Sequence, residues 1–351
     1  MPTTVTRQAG TSPPGSQDDH VDDDARARID SLLDDMLAGQ RRALARVLTM
    51  VEDGDPERLR QVVGRVHPLG GTARIIGITG APGVGKSTLT NALAGRLRAR
   101  DRRVAVLAVD PSSPFSGGAL LGDRVRMQGH HADEGVYIRS MAARGHLGGL
   151  SFATPQAVMV LDGVGFDDIL VETVGVGQSE VEVAGTADTT LVAMAPGMGD
   201  SIQAAKAGVL EIATIFVVNK ADQSGAGKLE SELRGMLEMG HASGAVGDGD
   251  DAWWPPIVRT VAVREDGLDE LLDTIDEHGA HLAATGAGEQ ARQARATHVV
   301  RELALARLRA SLDDLGDGDD ALLASLSRRV AAREVDPWDA ADQVVAGLQS
   351  P

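Results

Sequence analysis

The sequence predicts an α/β fold: a mostly parallel central sheet flanked by helices, with a helical extension before it and a helical hairpin after it. Three observations carry this expectation. Short β-branched runs, RIIGIT, RVAVLAVD, DDILVET, TTLVAMA, TIFVVNK and PIVRTVA, alternate with helical stretches from Arg74 to about Thr285. That is the pattern of parallel strands whose crossover helices cover both sheet faces. The unusual residues Gly80, Asp110, Glu172 and Asn219 stand at the carboxyl ends of four of these runs, where open α/β sheets bind ligands. After Thr285 no strand signal returns, and 289–315 and 320–348 read as two helices joined by the turn LGDGDD.

Taken in order, residues 1–24 are rich in Pro, Ser, Gly and Asp and read as a disordered acidic tail. They contain no apolar segment of the kind a secretory signal needs. From Ala25 to Met50, Ile29, Leu32, Leu33, Met36, Leu37, Leu44, Val47 and Leu48 recur at helical spacing, and Pro56 to Val66 offers a second short helix. The expected division is therefore a tail over 1–24, a helical extension over 25–70, an α/β domain over 71–285 and a helical arm over 286–351.

Composition narrows the function. With 351 residues the chain can bury a large core, and at 2% aromatic residues that core is built from Ala, Val, Leu and Ile. The formal net charge of -17 argues against a broad nucleic-acid or anionic-lipid footprint, since both need basic surface. No apolar run approaches the length that spans a bilayer. The absence of cysteine excludes disulfides, thiolate catalysis and Cys-ligated metals, and suits a cytoplasmic protein. The nine His are scattered, and pairs such as His130-His131 lack the spacing of a metal site. GDGDD lacks the spacing of a calcium loop, and Trp253-Trp254-Pro255-Pro256 reads as a loop packed on the core.

The chemistry begins with GAPGVGKS, Gly80 to Ser87, which fits G-x-x-x-x-G-K-[ST] directly after a strand and opens the helix TLTNALAGRL. Gly80, Gly83 and Gly85 let the backbone curl with its N–H groups inward, and Ala81, Pro82, Val84 and Thr88 complete the cradle. The helix N-terminus adds its dipole, Lys86 reaches the β- and γ-phosphates, and Ser87 ligates Mg²⁺. This places the fold among P-loop NTPases. NKAD, Asn219 to Asp222, ends the strand TIFVVNK and selects the base. Asp222 accepts from guanine N1–H and N2–H₂, which adenine lacks, Asn219 faces the other edge, and Lys220 covers the ring.

Between these motifs Asp110 ends a strand, and Asp123 sits in SGGALLGDRVRM beside Arg124 and Arg126. A loop ordered by a γ-phosphate needs such glycines, an acid for metal or water, and a cation for the phosphates. VETVGVGQSE, residues 171–180, reads like a γ-phosphate switch with Glu172 for the usual Asp and Val176 after Gly175. Glu172 still acts on Mg²⁺ through a water. Val176 cannot aim an attacking water, so intrinsic hydrolysis is expected to be slow unless Gln178 substitutes.

Together, GAPGVGKST, VDPSSPFSGGALLGDRVRM, ARGHLGGLS, VETVGVGQSE, APGMGDSIQAAKAG and VVNKAD resemble the MeaB/ArgK family of metallochaperone-class P-loop GTPases, which includes the methylmalonic aciduria type A protein. The resemblance is close over roughly 25–285. It implies a GTP-hydrolysing chaperone of adenosylcobalamin-dependent methylmalonyl-CoA mutase, protecting the enzyme and assisting cofactor loading. It also implies Lys86 and Ser87 on phosphates and Mg²⁺, and Asp110, Asp123 and Glu172 as the metal and water-handling set. A further switch over residues 200–206 and a homodimer formed through the C-terminal arm complete the expectation. One departure stands out. Where such GTPases carry a Ser-Ala pair, this chain reads Thr260-Val261-Ala262, followed by Val263. The Ala262 N–H remains for guanine O6, but the serine hydroxyl is lost and weaker GDP affinity is expected. Two other readings stay open: a nickel-type metal-insertion GTPase, which would want a Cys and His cluster, and a protein kinase of a transport system.

Overall fold

The computed structural model describes residues 18–111, 133–143, 153–173, 179–197, 212–242, 252–314 and 322–348. The chain falls into two compact units, Met1–His281 and Leu282–Pro351.

In the first unit seven strands form one sheet in the order β3-β2-β4-β1-β5-β6-β7. They are β1 (Arg74–Thr79), β2 (Val104–Pro111), β3 (Val136–Ala143), β4 (Asp168–Thr173), β5 (Thr189–Met194), β6 (Ile215–Val218) and β7 (Ile257–Arg259). Every neighbouring pair is parallel. Strand direction fixes the chemistry: all carboxyl ends gather on one edge, and the order turns around β1, the strand that feeds the phosphate loop.

Side-chain alternation shows why helices cover both faces. On β2, Ala105, Leu107 and Val109 enter one apolar cluster with Ile169 and Val171 of β4. Val104 and Val106 enter the opposite cluster with Ile76, Ile78 and Leu170. The first cluster is closed by α1 (Asp18–Leu37), α2 (Arg41–Asp53), α3 (Pro56–Val66) and α5 (Ala153–Gly163), the second by α4 (Lys86–Ala99) and α8 (Leu268–Thr285). A third cluster packs α7 (Ala226–Ala242) against Val192, Phe216 and Val218. The short α6 (Ser179–Thr186) packs on β1, β4 and β5. Strands buried on both faces read as continuous apolar runs for this reason.

Three elements of this unit depart from the sequence expectation. Helix α1 begins at Asp18, inside the stretch read as tail. The 25–50 periodicity is broken at Gly39, which has φ +90°, so it forms two helices. The strand β3 was not anticipated, since Arg139 and Ser140 interrupt its apolar run.

That edge strand is covered rather than open. Arg41 of α2 donates to the carbonyls of Asp133 (2.9 Å) and Val136 (2.8 Å), and Arg139 of β3 donates to Ala45 O (3.0 Å) and pairs with Glu52. At the amino edge of the sheet the fully buried Asp168 is held by Arg74 Nε (2.7 Å) and Arg102, as a buried charge must be paired.

The second unit holds α9 (Ala287–Asp314), α10 (Leu322–Ala331) and α11 (Pro337–Leu348), with Leu326, Ala340 and Val344 as its core. The expected single helix over 320–348 is thus two. Pro337 cannot continue α10, and Asp336 caps the new helix by accepting from Trp338 N at 2.8 Å and Asp339 N at 3.1 Å.

Candidate nucleotide site

The β1–α4 connection builds a cradle from backbone. Gly80 leaves β1 with φ +135°, and a side chain there would run into the carbonyl of Ala193 in β5, the residue after the Thr79–Val192 pair. Gly85 caps α4 with φ +95°, and a Cβ at that position would lie 2.6 Å from Asn219 Nδ2. Only glycine meets both demands. Within the loop Val84 is buried in the core while Pro82, Gly83 and Thr88 are exposed.

Lys86, the first residue of α4, is buried, with Nζ donating to the carbonyls of Gly80 (2.6 Å) and Ala81 (3.2 Å). The ammonium is thereby folded back over the mouth of the loop, where it adds to the dipole of the helix N-terminus. Next to it Ser87 Oγ donates to Glu172 Oε1 at 2.5 Å, and Glu172, near the carboxyl end of β4, is only 1% exposed. A hydroxyl and a carboxylate side by side at a phosphate cradle are hard oxygen donors, the set that suits Mg²⁺. Among the described residues no cluster of three or more His, Asp or Glu forms a metal cage.

The end of β6 carries the second motif. Asn219, 2% exposed, was expected to face a base edge, yet its amide is bonded to protein at both ends. Nδ2 donates to Val84 O (2.9 Å), while Oδ1 accepts from Ala262 N (3.1 Å) and Thr260 Oγ1 (3.2 Å). Asn219 is therefore a brace between the phosphate loop and the β7 loop, and the Ala262 N–H expected for guanine O6 already has a protein partner. Lys220, with φ +56°, arches over the cradle to Gly83 O at 2.8 Å. Asp222 projects beyond these residues with its side chain 39% exposed, ion-paired to Arg264 at 3.0 Å. Val261 and Ala262 are buried, whereas Val263 points outward, 79% exposed.

The loop and the brace thus bring Gly80 to Thr88, Glu172, Asn219, Lys220, Asp222 and Ala262 to one edge of the sheet. The backbone of Asp110 lies next to the last residue of β2 on that edge, paired in register with Ala142. Its side chain, and all of Asp123, Arg126, Val176, Gln178 and 200–206, lie outside the described residues. Sequence reasoning missed Arg264 and the Thr260 hydroxyl. The run T-V-A-V-R-E-D offered a signal, an Arg flanked by acids in the loop that approaches the base motif.

Comparison with known proteins agrees with this geometry. The family model described as methylmalonyl-CoA mutase-associated GTPase MeaB matches residues 44–314. A Pyrococcus abyssi protein, named for an inferred GTPase activity, is 44% identical over 318 residues, covering 90% of this chain and 96% of the relative. GTPase ArgK of Escherichia coli is 36% identical over 267 residues, 75% of this chain and 80% of its own. The mouse mitochondrial methylmalonic aciduria type A homolog is 35% identical over 74% of this chain and 65% of its own. The crystal structure of a protein named LAO/AO transport system kinase superposes with a TM-score of 0.63 at 25% identity, covering 92% of this chain and 98% of that one. The phosphate loop, the base motif and these matches give one answer: the chain belongs to the MeaB family of methylmalonyl-CoA mutase-associated GTPases.

Proposed function

We propose that this GTPase is a nucleotide-switched chaperone of adenosylcobalamin-dependent methylmalonyl-CoA mutase, hydrolysing GTP slowly until its client engages it. The observation that carries the nucleotide half is the brace at Asn219, which ties the phosphate loop and the base motif into one site. The client is supported by the family description and by the name of the mouse relative.

In this reading the backbone N–H groups of Gly80 to Ser87 receive the β-phosphate. Lys86 supplies positive charge where the transferred phosphoryl develops negative charge, and Asp222 takes the two guanine donors. Ser87 and Glu172 would hold Mg²⁺, with Asp110 and Asp123 completing the acidic set. The ion, when bound, would neutralise charge developing on the phosphates. Arg126 provides a second cation, and residues 200–206 form the element that answers to the client. Val176 gives no group to orient water, which leaves the basal rate slow. The helices of the second unit serve as the contact of a homodimer. The compartment that goes with this reading is the cytoplasm; no helix among the described residues is long and apolar enough to cross a membrane.

The test is steady-state hydrolysis of GTP and ATP, with and without methylmalonyl-CoA mutase from the same source. Slow turnover of GTP only, raised by mutase, is the expected result. GTP turnover indifferent to mutase would refute the client assignment. The kinase name carried by the structural relative supplies a control: γ-phosphate label recovered on a protein instead of in water would overturn hydrolysis as the reaction.

A further inference from the structure

We infer that Arg264 is the residue that positions Asp222 for guanine, replacing the serine hydroxyl that this chain lacks at Val261. The inference rests on the guanine-reading role proposed for Asp222.

A carboxylate that must accept two parallel N–H donors needs a fixed plane. The torsion that sets the plane of an Asp carboxylate is broad and has no strong preference of its own, and Asp222, 39% exposed, is not fixed by packing. Something must set it. Val261 offers no hydroxyl, but three residues further on Arg264 Nη1 meets Asp222 Oδ2 at 3.0 Å across 42 positions of sequence.

An exposed ion pair is ordinarily worth little, so its value here depends on whether the guanidinium is itself held. It is. Arg264 Nε meets Asp266 Oδ2 at 2.8 Å, so two different edges of the planar fork are bound to two acids and its orientation is determined. Asp266 in turn is fixed by backbone: Val261 N donates to Asp266 O at 3.0 Å, forming an antiparallel bridge, and Arg264 N donates to Val261 O at 2.8 Å. Asp266 first, and Asp222 after it, raise the guanidinium pKa above its ordinary value, and an arginine is charged at any working pH. The loop after β7 therefore runs an unbroken chain of contacts from backbone to Asp266 to Arg264 to Asp222. The same loop, through Ala262 N, grips Asn219. Phosphate loop and base motif are in this way referred to one rigid turn.

The role is positional, because Arg264 acts through Asp222 and needs no contact of its own with the base. It also yields a signature that mere loop stabilisation lacks: its contribution vanishes once the carboxylate is gone. The experiment is a double-mutant cycle on the full chain, reading dissociation constants by calorimetry. GDP and ADP are measured on wild type, Arg264→Ala, Arg264→Lys and Asp266→Asn. XDP is measured on Asp222→Asn with and without Arg264→Ala.

Arg264→Ala should weaken GDP about 3–10-fold with ADP binding unchanged. Arg264→Lys should recover part of the loss, and Asp266→Asn should lose less than Arg264→Ala. In the Asp222→Asn background the Arg264→Ala change should leave XDP binding unaltered. Unchanged GDP affinity in Arg264→Ala, or an equal loss for GDP and for XDP in the Asp222→Asn background, overturns the inference and leaves guanine reading by Asp222 intact. Equal binding of GDP and ADP by the wild-type chain overturns the guanine reading itself, and this inference with it.

Discussion

At Asn219 one amide serves two loops, and its removal should be felt twice. Asn219→Ala deletes the bond to Val84 O and leaves the buried Ala262 N–H and Thr260 hydroxyl without their acceptor. The expected cost is about 1–3 kcal/mol of folding stability in urea titration, together with a loss of nucleotide affinity. A second residue-scale prediction concerns His278, buried in α8 with Nδ1 2.9 Å from Thr189 Oγ1 and its ring edge-on to Trp253. Burial, reinforced by the nearby His281 and opposed by Asp188, lowers its pKa to about 4. The folded state thus refuses a proton that the unfolded chain accepts near pH 6.5. Stability is full above that value and is lost as pH falls from about 6.5 towards 4, by up to about 3 kcal/mol. Melting temperatures at about pH 7 and pH 5 should therefore differ, and His278→Asn should flatten the difference. At this scale the motif residues were legible because phosphate cradles and guanine readers demand particular atoms at particular spacings. Asn219's role as a brace was not, because the sequence does not say that a side chain in a binding motif will also be bonded to a neighbouring loop. Arg264 was hidden for the related reason that its partner lies 42 positions away.

At the scale of elements, the phosphate loop is held between β5 and the β6 loop with no room to spare. Gly85→Ala forces a Cβ to 2.6 Å from Asn219 Nδ2 in a left-handed backbone. It should abolish measurable nucleotide binding in calorimetry while the circular dichroism spectrum stays helical and sheet-like. The edge strand β3 offers another test. Arg139→Ala removes donors to Ala45 O and Thr49 Oγ1 and strips the half-buried Glu52 of its cation. A loss of about 1–3 kcal/mol is expected in chemical denaturation, with the midpoint shifted and the slope unchanged. Six strands were readable from apolar runs and turn residues. β3 was not, since an edge strand closed by arginine contacts from α2 needs no unbroken apolar run. The break before α11 was written in Asp336-Pro337, a cap followed by the residue that suits the first helical turn. It was overridden by the helical periodicity on either side.

For the whole molecule, the sheet order places β1 between β4 and β5, so the strands that carry Glu172 and the contact to Gly80 flank the one that feeds the phosphate loop. Parallel pairing then puts motifs more than a hundred residues apart on one edge, as the bond between Asn219 and Val84, 135 positions apart, records. Fold class and candidate nucleotide site were legible together because both follow from strand ends; the proposed client came from family resemblance, not from a residue pattern that encodes recognition of a mutase. Selectivity for GTP requires the two motifs to form a single guanine-reading site. The most direct measurement is steady-state turnover of GTP, ATP and XTP by the wild-type chain and by Asp222→Asn. GTP should be the sole good substrate of the wild type and XTP the preferred substrate of the variant, by at least about tenfold. Comparable GTP and ATP turnover in the wild type, or an Asp222→Asn variant that still prefers GTP, would rule out a single guanine-reading site.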